Sequence, residues 1–182
     1  MSKNLLDLLL GDGNRSALDE VSKRFDLDEK QTRSAVEELI PALSRGLETN
    51  VKGSEQGMDE LLEALRNGKH AQYVERPATL GAPETVEEGN SILGHIFGNK
   101  ETSRQVANRA AERSGISSSV LKKMLPVLAS VVMGSLSKRV IGGTRTASRA
   151  DQGGLLGTLL DGDRDGSIWD DVLGMAARGL AR

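Results

Sequence analysis

The sequence contains no cysteine, which excludes a disulfide framework, Cys-ligated zinc and thiol catalysis. Aromatic residues are almost as scarce: two Phe, one Tyr and one Trp, namely Phe25, Phe97, Tyr73 and Trp169. The core must therefore come from Leu, Val, Ile, Ala and Met, and there is no aromatic platform on which single-stranded bases could stack. Long apolar runs are missing too. The longest, the thirteen residues Met124 to Leu136, is interrupted by Pro126, Ser130 and Gly134. It falls short of the roughly 20 residues that cross a bilayer, and reads as a buried core helix. The amino-terminal stretch Leu5 to Leu10 is broken by Asp7 and has no small-residue cleavage site, which argues against a signal peptide. No segment alternates with a period of two, so no sheet is predicted. These absences describe a soluble, cytoplasmic, all-α chain with no membrane contact.

What the sequence has in excess is glycine, 21 of 182 residues against a usual share of about 7%. That predicts many short helices separated by glycine stops. The net charge of −2 conceals a marked asymmetry. Residues 1–98 hold 11 Lys/Arg and 18 Asp/Glu, a net −7. Residues 99–149 hold 10 and 2, a net +8, and residues 150–182 hold 3 and 6, a net −3. Such a chain can pair its charges internally, attract copies of itself, or offer its basic part to a polyanion.

Two stretches of the chain repeat one pattern. Asn4-Leu5-Leu6-Asp7-Leu8-Leu9-Leu10-Gly11 matches Ser91-Ile92-Leu93-Gly94-His95-Ile96-Phe97-Gly98. Helical segments Ser16–Phe25 and Ser103–Ser114 follow, each leading to an N-cap candidate, Asp28 or Ser117. Then come Val36-Glu37-Glu38-Leu39-Ile40-Pro41-Ala42-Leu43 and Leu121-Lys122-Lys123-Met124-Leu125-Pro126-Val127-Leu128, the first copy being longer before its proline by about one helical turn. The second copy's helix is apolar on nearly all sides and should be central, with a kink or break near Pro126. The first copy's helix carries Glu37, Glu38, Ser44 and Arg45 and should lie nearer the surface. The predicted organisation is a first helical unit at 1–68 and an extended linker at 69–90. A second unit follows at 91–140, then a flexible basic loop at 141–154 and a carboxy-terminal helix-loop-helix at 155–182.

Gly89-Asn90-Ser91-Ile92-Leu93-Gly94-His95-Ile96-Phe97-Gly98, Ser114-Gly115-Ile116-Ser117, Met124-Leu125-Pro126-Val127-Leu128 and Val132-Met133-Gly134-Ser135-Leu136 together resemble the bacterial YidB-like family of unknown function. The resemblance extends to the Asp-rich carboxy-terminal stretch. It implies a small all-α fold related to helix-turn-helix arrangements and brings no established activity or site residues.

Two local patterns could carry chemistry. In Asp161-Gly162-Asp163-Arg164-Asp165-Gly166-Ser167-Ile168-Trp169-Asp170-Asp171, the carboxylates of Asp161, Asp163 and Asp165 and the position of Ser167 follow the spacing of a Ca²⁺ loop, with Gly166 at the sharp turn. Position 12 is Val172 where the bidentate Glu belongs, so Asp170 or Asp171 would have to close a weak site. The competing reading is an Asp-rich turn capping the last helix. The second pattern, Gln105 to Met124, fits a helix-turn-helix: Ala111 permits close crossing, Gly115 turns the chain, and Ile116 packs beneath it. A DNA reading would use Arg104, Arg109, Arg113, Lys122 and Lys123 on phosphates, but the second helix presents no Gln, Asn or Arg to bases.

Other residues read as bland. His70 and His95 lack metal-ligand spacing and are expected to be packed or surface residues. Gly142-Gly143-Thr144-Arg145 has neither the strand nor the lysine of a phosphate loop, and no Gly-x-Ser-x-Gly occurs. The sequence therefore points to a non-enzymatic interaction or scaffold protein that associates with itself or another protein. No cofactor is required beyond a candidate Ca²⁺. The alternative is a DNA-binding protein using segment 104–124.

Overall fold

Several helix starts in this chain are set by side chains that satisfy otherwise unpaired N–H groups. The computed structural model describes residues 4–142 and 148–161. Helix α1 (Leu5–Leu10) begins at Asn4, whose side chain accepts from the Asp7 N–H at 2.8 Å. After a 3₁₀ turn, α2 (Arg15–Phe25) ends at Asp26 in the left-handed region. Helix α3 (Glu29–Lys52) opens on a reciprocal capping box. Asp28 accepts from the Gln31 N–H at 2.7 Å, and the Gln31 side chain accepts from the Asp28 N–H at 3.0 Å. Helices α4 (Gly57–Asn67) and α5 (Gln72–Glu75) lead through a second 3₁₀ turn, Pro77–Gly81, to α6 (Pro83–Phe97). Asn99 caps α7 (Lys100–Ser114), and Ser117 caps α8 (Ser118–Leu136). The chain continues in π geometry over Ser137–Gly142, and α9 (Arg149–Asp161) is the last described element. The described residues form helices and turns with no strand, as the missing period-two pattern predicts.

Helix α8 is the axis of the molecule. Every residue from Met124 to Ser137 is buried, and helices α1 to α7 all pack on it or on its neighbours. Leu121, Leu125 and Leu128 are each essentially inaccessible, and burying a side chain of that size stabilises a fold by about 1.5–3 kcal/mol. Helix α6 comes closest, because Gly89 has no side chain to hold it off. A Cβ there would lie 2.0 Å from the Pro126 carbonyl oxygen. Between α7 and α8, Gly115 turns the chain at φ +73, a conformation that would strain a side-chain-bearing residue.

The first three helices run in the order α1, α2, α3 with Pro41 inside the third, and α6, α7, α8 follow the same order with Pro126 inside the third. Both helices run through their prolines without a break. Helix α6 is 15 residues long against 6 for α1, so the second set begins at Pro83 rather than at residue 91.

Several sequence expectations need correction. Segment 69–90 is not an extended linker: it holds α5, a 3₁₀ turn and the start of α6, with Tyr73 and Leu80 buried. Its prolines start elements rather than ending them, since Pro at a first helical position loses no needed hydrogen bond. Buried residues of α1–α3 and of α6–α8 form one cluster. Of the basic loop 141–154, residues 149–154 are already helical in α9. Helix α3 is also more deeply set than its charges suggest: Ser44 is fully buried, its hydroxyl donating to the Leu160 carbonyl at 3.3 Å, and only the Glu37 side stays exposed. The thirteen-residue apolar run belongs to a helical stretch of 25 residues, Ser118–Gly142, long and apolar enough by composition to cross a bilayer, yet 83% of its apolar window is buried inside the protein.

Candidate functional site

The basic segment folds into a shelf where α6, α7 and α8 meet. Lys100, Arg104 and Lys122 line a depression of about 510 Å³, joined by Asn90, Asn99 and Ser103, and no carboxylate lines it. Arg104 lies 3.5 Å from Glu101 on its own helix, with both side chains exposed. Lys123 is exposed beside Lys122. Arg113, nine residues beyond Arg104, falls about half a turn round α7 and points the other way. Its Nε lies 2.7 Å from Glu38 Oε2 on α3. The Nε of Arg109 is buried with no hydrogen-bond partner. The five cations named for DNA contact therefore do not form one face: Arg104 and Lys122 share the shelf, while Arg109 and Arg113 turn towards the rest of the protein. The local turn matches the sequence reading. Ser117 accepts from the Val120 N–H at 3.3 Å, and Ile116 is buried beneath it.

On the other flank of α6 lies a groove of about 360 Å³ between α3, α4 and α8. Both histidines line it, His70 from the turn before α5 and His95 from the exposed end of α6. Glu88 joins them from α6 and Glu60 from α4. The buried Tyr73 hydroxyl donates to Glu88 Oε2. The other carboxylate oxygen lies 2.9 Å from His70 Nδ1, off hydrogen-bond alignment, so that buried nitrogen has no bonded partner. Burial pushes the His70 imidazole below its ordinary range, with Glu88 pulling the other way. Burial, reinforced by Glu88, pushes the Tyr73 phenol up to about 12, so it stays a donor at neutral pH. The Asn50 side chain donates to the His95 carbonyl at 2.7 Å and ties the end of α6 to α3.

Sequence reading treated both histidines as unrelated and missed Tyr73 and Glu88. Tyr73 and His70 are three residues apart, but Glu88 lies fifteen residues beyond Tyr73 on another helix, and no local spacing pairs them. The imidazole and phenol meet the carboxylate only because the segment read as linker folds back onto α6.

Of the candidate Ca²⁺ ligands, Asp161 ends α9, with Oδ1 3.3 Å from Lys52 Nζ. Hydrogen bonding to Glu48, then to Asp161, holds the Lys52 ammonium above its ordinary range. Asp163, Asp165, Ser167, Asp170 and Asp171 lie outside the described residues, as do Gly143, Thr144 and Arg145. Among the described residues, no group of three His, Asp or Glu is placed to hold a metal ion.

Residues 7–139 match the model of a family described as "Bacterial protein of unknown function (DUF937)", and the chain belongs to that family. The YidB-like resemblance agrees with this. The match includes both flanks of α6 and stops short of the Asp-rich stretch, to which the resemblance had been extended. No curated protein and no solved structure matches the chain.

Proposed function

We propose, with membership in that family as the premise, that the chain is a non-enzymatic helical interaction protein that binds a second copy of itself. The observation that carries this reading is the charge left over after folding. Lys100, Arg104, Lys122, Lys123, Lys138 and Arg139 are all exposed on α7, α8 and the π turn. Of these six, only Arg104 has a carboxylate neighbour among the described residues, Glu101 of its own helix. Helices α2 to α4 meanwhile expose acids such as Asp19, Glu29 and Glu63. A cationic face on one copy and an acidic face on another attract each other at low salt.

Light scattering at low and moderate salt tests this. We expect a mass above the 19.4 kDa monomer that falls as salt is added, and K122A/K123A should lose the excess. A monomer at both salts sinks the reading. Adding CaCl₂ to the same runs tests a weak structural Ca²⁺ site at the Asp-rich stretch. Asp163→Ala with Asp165→Ala should abolish any Ca²⁺ effect, and no effect in the parent leaves helix capping as the role of those residues.

The same reading takes α1–α3 and α6–α8 as diverged copies of one unit. Their like order, and the side-chain cap and proline shared by α3 and α8, support it. Superposing residues 5–47 on 92–136 should bring the three helix axes together, and diverging axes would sink the duplication.

The acid-free lining of the shelf favours a second reading, a DNA phosphate contact at Lys100, Arg104 and Lys122. A gel-shift titration decides it. Sub-micromolar binding whose salt slope drops by about two in K122A/K123A would replace self-association as the function.

A further inference from the structure

Two features of the groove beside His70 make it more than a gap between helices: its floor is apolar and its charge is of one sign. Leu47, Leu61, Ile92 and Met133 form the floor, Glu60 and Glu88 supply carboxylates, and no Lys or Arg lines it. Burial lowers the His70 imidazole below its ordinary range against the pull of Glu88, which disfavours a cationic His70 beside the acids. Glu88 is fixed on one oxygen by Tyr73, yet the side chain is 38% exposed and can be reached from the groove. The volume of about 360 Å³ is at the lower end of small-ligand sites. An apolar site with a few placed polar groups selects a ligand by body and head together.

We propose that this groove binds a small organic cation with an apolar body, an alkyl- or arylalkyl-ammonium. The hydrocarbon lies on Ile92 and Met133, and the ammonium donates to Glu88 with Glu60 at the rim. A carboxylate ligand of the same shape meets two like charges and is rejected. A neutral alcohol keeps the apolar contact but lacks the charge-assisted bond. The site lies on the flank of α6 opposite the cationic shelf, so it stands or falls separately from self-association.

The probe is phenethylammonium chloride at fixed ionic strength, followed by amide NMR shifts and calorimetry, with 2-phenylethanol and 3-phenylpropionate as shape-matched controls. We expect saturable shifts centred on Ile92 and Ile96, with the alcohol bound about tenfold more weakly and the carboxylate not measurably. E88Q should weaken the ammonium by about tenfold or more. Because E88Q also alters the Tyr73 and His70 contacts, E60Q serves as the second variant; Glu60 is exposed, and its change should cost several-fold in affinity with the fold intact. Equal binding of ammonium and alcohol overturns the proposal. So do shifts that map away from the groove, or an affinity that neither variant changes.

Discussion

Helices α3 and α8 share a plan: each starts at a side-chain cap, runs through a proline and crosses much of the molecule. Their surroundings differ. From Met124 to Leu136 helix α8 has no exposed residue, whereas α3 keeps a polar edge at Arg33, Glu37 and Thr49 along its length. Arg33 and Glu37 pair at 2.9 Å on that edge, both well exposed. The difference follows from composition on the face opposite the core. Helix α8 has Val127, Ser130 and Val131 where a surface helix would have charges, and α6, α5 and α2 close over it. Similar local patterns thus give an inner and an outer helix, and the choice is made by which neighbours can approach.

The sharpest way to break that comparison is to push a neighbour off α8. Gly89→Ala would put a Cβ 2.0 Å from the Pro126 carbonyl oxygen, a backbone atom that cannot step aside. We expect a loss of about 3 kcal/mol or more, at the upper end of overpacking costs, or failure to fold. Gly94→Ala is the control on the same helix. Apart from its own helix's backbone and its two chain neighbours, nothing lies within 4 Å of its added Cβ, so it should be neutral or stabilising by about 0.5–1 kcal/mol. Urea unfolding of the two variants reads the difference directly. Equal stabilities would mean that α6 does not seat on α8 at this point.

Much of this inner and outer arrangement is legible in the sequence. The missing period-two pattern gives the all-helical class, the apolar run from Met124 gives the central helix, and Asp28 and Ser117 are recognisable caps. The stretch 69–90 is misleading, because Pro77 and Pro83 look like loop markers and instead sit at first helical positions. Glycine misleads in the same way: Gly115 is a stop, but Gly89 is a crossing point inside a helix, a use no single-sequence pattern reveals. The groove is illegible for a different reason. His70, Glu88 and Glu60 come from three elements, and only the close fit of the turn before α5 against α8 brings them together. A Cβ at Gly134 would meet the His70 carbonyl at 2.6 Å.

That fit can be sharpened by titration. Burial holds His70 below the imidazole range in the folded protein, while the unfolded chain takes up its proton near the ordinary value of about 6.5. The unfolded state then binds more protons just below that pH, so stability is fully present above it and is lost as pH falls towards the folded value. We expect the midpoint of urea unfolding to drop between pH 7 and pH 5 more steeply in the parent than in His70→Gln. Groups that do not touch residue 70 contribute alike to both curves and cancel in the difference. Parallel pH curves would show that the turn before α5 leaves His70 as wet as it is in the unfolded chain.

The smallest effect is expected on the outer helix, where α3 meets α7. Arg113 reaches Glu38 at 2.7 Å, with the arginine side chain 54% exposed and the glutamate 20%. This pair spans the acidic and basic parts of the chain within one molecule, so its strength measures how far folding consumes the charge asymmetry. Solvent screens a half-exposed pair, and holding two long side chains in one geometry costs entropy. A double-mutant cycle with Arg113→Ala and Glu38→Ala should therefore give a coupling of about 0.5 kcal/mol, shrinking further as salt is added. The same Arg113→Ala variant should leave the salt-dependent mass in light scattering unchanged, because Arg113 faces α3 and not the shelf. A coupling above about 2 kcal/mol would instead mark the pair as a desolvated clamp between α3 and α7. The outer helix would then be held by charge as firmly as α8 is held by packing, and the contrast between the two would disappear.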